Sequence, residues 1–548
     1  MYDLLGEIIH YAEIVAVALL IIYILVLVVK YLIGSRQSEE EIILERSPKP
    51  AVRPLRRRAE RPMRRAPLRV RERPTPRRLV APSPATGRIP VDYFYGRVLE
   101  GESLGRKPGR IVLLRTLGAG SYGVVFVGRL EIDGQRTENV AVKVFGRVSE
   151  EYGITYIEPP RKPSDLRDFF NEVNTLKTLK KRHFIPLLKE EDMRRLVALS
   201  VEKTYYGVAD DEELFEKYPL AEWIADLPYF FSKANRNIAG IKLFSSRYAV
   251  RGEFEIPEDY WNNPVFTATE LAEGNLDDLA GNVEREEVVS MLCQVSGALS
   301  LIYVASSLRI QEGEVSVIRP RIHMDVKPQN ILYRRTREGR LKFLVTDFGL
   351  ASVATYRTLK WVRGTPLYMP PEYLLYPSMR LYPSYDVYSL GVTTLKMLKG
   401  RVPLYQYALV AVSKHKEIKG TEIQRKAMEE AITYMSLYGV SEKLARTFIS
   451  ELGWLAYEGI EIPAKRGKQF LKRVSINLKR LQEKVRGSPI YSLDLRPGLG
   501  GELDKIVTDM VSIDREERPA SVLDLYFRLR ATLREKYAEY VGMDRANL

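Results

Sequence analysis

Five stretches of the chain carry residue types whose order suits the handling of a polyphosphate. In the first, Leu117-Gly118-Ala119-Gly120-Ser121-Tyr122-Gly123-Val124-Val125-Phe126, the glycines let backbone amides approach phosphate oxygens with no side chain in the way. The same spacing occurs in dinucleotide-binding loops, and Glu138 lies where such a loop wants an acid. A dinucleotide loop opens a helix, however, whereas Val124-Val125-Phe126-Val127 followed by Asp133-Gly134 reads as a strand and a hairpin turn. The second stretch sets Lys143 inside the apolar strand Val140-Ala141-Val142-Lys143, ahead of a predicted helix containing Phe169-Phe170-Asn171-Glu172-Val173. A lysine there needs a countercharge, which a phosphate bound beside the helix glutamate supplies; taken singly, each residue reads equally well as half of a routine salt bridge.

The third and fourth stretches are His323-Met324-Asp325-Val326-Lys327-Pro328-Gln329-Asn330-Ile331-Leu332 and Thr346-Asp347-Phe348-Gly349. Two acids, an amide and a lysine so close in sequence are the inventory for holding magnesium on a triphosphate and orienting a hydroxyl. The fifth is Gly364-Thr365-Pro366-Leu367-Tyr368-Met369-Pro370-Pro371-Glu372. For these to act together, a strand hairpin must cover the phosphates, a strand and a helix must offer Lys143 and Glu172 from one side, and two loops must bring Asp325 and Asp347 from the other.

In this order the five blocks resemble a eukaryotic-type (Hanks-type) serine/threonine protein kinase, from about Arg110 to about Arg530. The resemblance implies an α+β, bilobal protein-kinase-like fold, with a β-rich small lobe, a helical large lobe and two inserts. It also implies ATP and Mg2+ as cofactors, held between the lobes. Residue by residue, it makes Leu117, Gly118, Gly120, Ser121 and Gly123 the phosphate-covering loop. Lys143 would hold the α- and β-phosphates and pair with Glu172. Asp325 would orient the substrate hydroxyl, Lys327 would steady the transferring group, and Asn330 and Asp347 would hold the metal. Val125, Ala141 and Leu332 match the positions that sandwich adenine, and Thr269-Glu270-Leu271-Ala272 resembles the hinge that reads its edge. Glu372 and Arg518 match a buried structural ion pair, and Asp386 matches the acid that braces the catalytic loop. Lys327, two residues after Asp325, together with Gly364-Thr365-Pro366 resembles the serine/threonine branch, so the substrates would be hydroxyls of proteins.

Three departures stand out. Met324 occupies the position where the family usually has an arginine that receives a phosphate on the activation segment, so activity is expected not to require phosphate on Thr355, Tyr356, Thr358 or Thr365. Pro370 replaces the usual alanine, and Lys143 to Glu172 is longer than the family norm. The domain is expected over 110–535, after a lead-in at 91–109 and before a tail at 536–548. Inserts are expected at about 189–263, before the hinge strand, and at about 405–499. The second shows helical spacing at Leu444, Phe448, Leu452 and Leu455, and again at Leu471, Val474, Leu478 and Leu481. It reads as a helical subdomain burying these stripes, or as a docking surface for partner proteins.

Ile14 to Val29 contains no charged residue, and the wider run 11–33 admits only Glu13 and Lys30. At about 1.5 Å per residue that run reaches about 34 Å, enough for a hydrocarbon core of about 30 Å. A transmembrane helix is expected there, after a short N-terminal segment at 1–10. A cleaved signal and a buried helix are the rivals, and the acidic start with Asp3 and Glu7 argues against the signal. No lysine or arginine precedes the uncharged stretch, whereas Lys30, Arg36 and the arginine tract follow it, which predicts the N-terminus outside and the kinase domain in the cytoplasm. With so little chain ahead of it, no ligand-sensing ectodomain is expected on this chain.

Net charge is +15, but residues 51–80 hold twelve arginines against Glu60 and Glu72, a net +10 that leaves +5 for the remaining 518 residues. The basicity therefore belongs to one Arg/Pro-rich stretch within a tether at 34–90 expected to be disordered, and nucleic acid is an unlikely partner. Contact with anionic lipid, or a solvated spacer, accounts for it better. Cys293, with no second cysteine, excludes an internal disulfide. Three function classes stay open: an active membrane-tethered kinase, a pseudokinase scaffold of the same fold, and a lipid- or nucleic-acid-binding protein driven by the arginines.

Overall fold

In the computed structural model, residues 88–180, 237–240, 244–246 and 260–541 are described, apart from short breaks, the longest at 459–467. The apolar run 11–33, the arginine tract, Ser121 and most of the first insert lie outside the described residues. Among the described residues no helix is long and apolar enough to cross a membrane.

Nine strands shape the smaller lobe: β1 (Ile89–Pro90), β2 (Val98–Ser103), β3 (Pro108–Gly120), β4 (Gly123–Ile132), β5 (Gln135–Phe145), β6 (Arg147–Glu151), β7 (Ile154–Glu158), β8 (Phe244–Ser245) and β9 (Phe266–Glu270). Six close into a barrel in the order β2-β3-β4-β5-β9-β8, and β1-β7-β6 form a separate three-stranded sheet. Period-two alternation explains both faces of β4 and β5. Val124, Phe126, Val142 and Val144 are fully buried inside, while Val125, Ala141 and Lys143 are half-buried on the face opposite. The register sets Val125 against Lys143 and Ala141 against Thr269, so the sequence-predicted adenine positions and the lysine share one face.

The first expected insert is partly framework. Its residues 244–245 are the strand β8 that closes the barrel, and Ser246 Oγ accepts a hydrogen bond from the Phe266 amide. Asn237 donates to Gln294 and to the Phe343 carbonyl, anchoring the residues before β8 on the larger lobe. A strand of two residues has no periodicity to read, which is why the sequence left this stretch unassigned.

Helix α1 (Arg167–Lys180) packs between the lobes. Phe169, Val173 and Leu176, spaced four and three apart, are its buried stripe, and Phe169 meets Phe145 edge-on at 4.6 Å. The larger lobe begins with β10 (Gly274–Asn275) and α2 (Arg285–Ala305). Next come the hairpin β11 (Leu308–Gln311) and β12 (Glu314–Val317), then β13 (Arg321–Ile322), β14 (Ile331–Arg335), β15 (Leu341–Val345) and β16 (Ser352–Val353). Its helices continue as α3 (Pro371–Leu375), α4 (Ser384–Lys399), α5 (Leu404–Glu417), α6 (Glu422–Leu437), α7 (Glu442–Tyr457), α8 (Lys468–Arg486), α9 (Pro489–Asp494), α10 (Gly501–Met510), α11 (Val522–Leu533) and α12 (Glu535–Val541).

The described residues of the second expected insert are mostly helical, and both apolar stripes lie in or against the core. Phe448 and Leu452 of α7 and Val474, Leu478 and Leu481 of α8 join the large-lobe core, with Leu444, Leu455 and Leu471 packed against it. Ser441 caps α7 by accepting from the Leu444 amide. Cys293 is fully buried on α2, and burial pushes its thiol up, so it is an inert core residue.

Candidate active site

Strands β3 and β4 stay paired as far as Gly120 and Gly123. Gly123 has φ +156°, and a Cβ there would stand 2.5 Å from the Val144 carbonyl oxygen, so only glycine fits. Gly118 and Gly120 have nothing within 4 Å of that position. Leu117 is exposed beside them. Strand β9 ends in Thr269 and Glu270, two residues before Ala272, and Leu332 on β14 pairs with Asn275 of β10. The Glu270 carboxylate accepts from the Gly240 amide at 2.7 Å.

Beneath the barrel, β15 runs into Asp347, held in the left-handed region at φ 63°, ψ 68°. For a residue other than glycine that costs on the order of 1–3 kcal/mol and needs its surroundings to hold it. Lys143 Nζ lies 3.5 Å from Asp347 Oδ1. Burial opposes charge on Asp347, yet Lys143, His323 and Lys327 outweigh it and keep the carboxyl below its ordinary range. Burial likewise opposes the Lys143 ammonium, and Asp347 and Glu172 together raise it above its usual value.

The residues of the loop 323–330 interlock. Asp386, fully enclosed on α4, accepts the His323 amide at 2.7 Å and the Met324 amide at 2.9 Å, turning the loop so that Asp325 faces the cleft. His323 Nε2 donates to the Thr346 carbonyl at 3.0 Å, and Nδ1 accepts from the Asp325 amide at 3.3 Å. Asp325 receives three donors: Lys327 Nζ at 2.7 Å and Asn330 Nδ2 at 2.9 Å on Oδ2, and Thr365 Oγ1 at 2.7 Å on Oδ1. Lys327 also donates to Thr365 Oγ1 at 2.8 Å, so the fifth stretch is tied directly to the third. The Asn330 amide nitrogen is engaged on Asp325, which turns its carbonyl oxygen into the group available to a cation. An amide oxygen and one carboxylate suit a hard ion that shares its coordination with phosphates.

Residues 260–521 match the family model described as protein kinase domain. The match begins just before the hinge strand and ends past Arg518, so Lys143, Glu172 and the glycine turn lie ahead of it. Serine/threonine-protein kinase BRI1-like 2 of Arabidopsis thaliana is 41% identical over 86 residues, 15% of this chain and 7% of that protein. Chitin elicitor receptor kinase 1 of Physcomitrium patens is 41% identical over 83 residues, 15% of this chain and 12% of that protein. Probable receptor-like protein kinase At5g20050 of Arabidopsis thaliana is 28% identical over 211 residues, 37% of this chain and 41% of that protein. The chain therefore spans less than half the length of these curated relatives. Together the match and the relatives support a protein kinase.

One expected kinase contact takes a different form. Lys143 meets Asp347 rather than Glu172, and Glu172 Oε2, buried on α1, has no hydrogen-bond partner. Burial pushes the Glu172 carboxyl up to about 7, although Lys143 pulls the other way. The folded chain thus holds a proton on Glu172 between about 4.5 and about 7 that the unfolded chain has released. The stability this contributes is complete below the unfolded value and is lost as pH rises through the folded one. Urea unfolding of the ligand-free chain should show Glu172→Gln matching wild type near pH 4.5 and exceeding it at pH 8, by at most about 3 kcal/mol. Parallel pH profiles would remove Glu172 from this role.

Several residues that hold these segments together escaped the sequence reading. Asn171 Nδ2 donates to the carbonyls of Phe348, Gly349 and Ala351 at 3.3, 2.8 and 2.6 Å, clasping the segment after Asp347. Arg321 Nη1 donates to Asn171 Oδ1 and Thr175 Oγ1, both at 3.0 Å. Asp168, Asn171 and Thr175 share a helical face at spacings of three and four, a polar stripe whose sequence signal is the same as that of a solvated face.

Proposed function

We propose that the chain is a membrane-anchored serine/threonine protein kinase, transferring the γ-phosphate of ATP to hydroxyls of protein substrates. What carries the reading is the convergence of Lys143, Asp347, Asp325, Lys327 and Asn330 on one cleft, with Lys143 3.5 Å from Asp347 and Lys327 2.7 Å from Asp325. Magnesium on the triphosphate would neutralise the charge that develops as the phosphoryl group moves. Asn330 and Asp347 would hold it, and the glycine turn would cover the phosphates. Lys143, freed from Asp347, would take the α- and β-phosphates, with the vacant Glu172 oxygen behind it. Asp325, aimed by three donors, would orient the incoming hydroxyl and accept its proton. Lys327 would steady the transferring group, while Val125, Ala141 and Leu332 enclose the base beside the Thr269–Ala272 hinge. Catalysis of this kind is positioning and charge neutralisation more than covalent chemistry.

The apolar run 11–33 supports a single membrane span with the kinase domain on the cytoplasmic side, and the arginines at 51–80 support contact with anionic lipid headgroups. The decisive experiment is magnesium-dependent transfer of labelled phosphate to a serine/threonine peptide library, lost in Asp347→Asn. Nucleotide binding without turnover in the wild-type chain would instead make it a scaffold of the same fold.

A further inference from the structure

Helix α1 is bound to the larger lobe at a third point. Arg363, just ahead of the Gly364-Thr365-Pro366 turn, donates from Nη1 to Asp168 Oδ1 at 2.7 Å and from Nη2 to Asp168 Oδ2 at 2.9 Å. This is a bidentate fork across 195 positions of sequence. Asp168 sits in the first turn of α1, where a negative charge also meets the helix dipole. The backbone of Arg363 is held as well, since Tyr385 Oη donates to its carbonyl at 3.3 Å. Gly364 follows at φ +143°, so close that a Cβ would stand 2.5 Å from Tyr385 Oη and 2.8 Å from the Met324 carbonyl. Thr365 then reaches Asp325 and Lys327. Arg363 thus joins the helix that carries Glu172 to the turn that engages Asp325.

Met324 bears on what this pair does. An arginine at that position would bind a phosphate on the activation segment; here the side chain is apolar and buried, and can bind none. The positive partner is instead on the segment itself, and the negative one is a permanent carboxylate on α1. We propose that the Asp168–Arg363 pair is a built-in clamp that positions the activation segment and α1 without phosphorylation. Both are positioning residues, acting through Thr365 and the Asn171 clasp, and the proposal rests on the kinase reading above.

The test uses the full chain, treated with phosphatase, in a double-mutant cycle of Asp168→Ala, Arg363→Ala and the pair. Each single variant should lose about fivefold in kcat with KM for ATP unchanged, the reach of a partly exposed bidentate pair. The double variant should lose no more than either single one, because one contact is removed in all three. Arg363→Lys, which keeps the charge without the fork, should fall between. The wild-type advantage should also shrink as salt is raised toward about 1 M, where the screening length is about 3 Å. Additive losses, or a phosphatase-treated wild type that is inactive until rephosphorylated, would overturn the clamp. Should the wild-type chain show no turnover at all, the kinase reading fails while the clamp is still judged. Amide hydrogen exchange at residues 364–369 should then quicken about fivefold in Arg363→Ala, and unchanged protection there would overturn it.

Discussion

Asp325→Asn should lower kcat by about 10²–10⁴-fold while leaving ATP affinity nearly intact. Both Asp325 oxygens act as acceptors, Oδ1 from Thr365 and Oδ2 from Lys327 and Asn330. An asparagine can present only one oxygen to these three donors and turns two of its own hydrogens toward the others, so the network loses contacts whichever way the amide points. The substituted group also has no lone-pair base of carboxylate strength to orient the incoming hydroxyl. The three donors to Asp325 belong to neither the glycine stretch nor the hinge, so nucleotide binding is expected to depend on it little. Steady-state kinetics together with calorimetric titration of the nucleotide separate the two effects. A variant within tenfold of wild type would remove Asp325 from the centre of the reaction.

Arg518→Ala should destabilise the large lobe by about 3–5 kcal/mol. Arg518 and Glu372 are both 0% exposed, with Nη1 and Nη2 each 2.8 Å from a carboxylate oxygen. The guanidinium also donates from Nε to the Ser512 carbonyl at 2.6 Å and from Nη2 to that of Ile513 at 3.1 Å, over the face of Tyr388. Truncation leaves Glu372 charged, enclosed and unpaired, and strands two carbonyls. Replacing both partners by apolar residues of similar volume, Arg518→Met with Glu372→Leu, should recover part of the loss, because no charge is then left buried. The check is urea unfolding followed by a large-lobe probe such as fluorescence. A single-variant cost under about 1 kcal/mol would mean that water reaches the site.

The two expectations differ in kind. Asp325 is oriented by contacts gathered within its own loop and one neighbouring turn, so its substitution registers in rate. Arg518 is 146 positions from its partner and anchors the segment after the Gly364-Thr365-Pro366 turn from behind, so its substitution registers in folding. The cleft depends on both, since Thr365 can reach Asp325 only while the residues on either side of it are fixed, by Arg363 before it and by Glu372 after it.

What was legible in the sequence was whatever depends on near neighbours along the chain. Apolar alternation in β4 and β5 determined which face of the barrel Lys143 would share with Val125 and Ala141, because strand geometry sends successive side chains to opposite sides. Spacings of three and four in α7 and α8 determined their buried stripes, because helix geometry repeats every 3.6 residues. Asp325, Lys327 and Asn330 are close enough in sequence to form their network within one loop. Tertiary structure alone decided which partner each polar group found. Lys143 was expected to pair with Glu172, and only the lobe arrangement, acting across 204 positions of sequence, placed Nζ on Asp347. Asp168 and Asn171 look like any solvated helix face, and their bonds to Arg363 and to the Phe348–Ala351 carbonyls exist only once α1 lies against the large lobe. The physical reason is range: burial patterns are set by the local repeat of the backbone, whereas a hydrogen bond works only within about 3 Å and so depends on where the rest of the chain has come to rest.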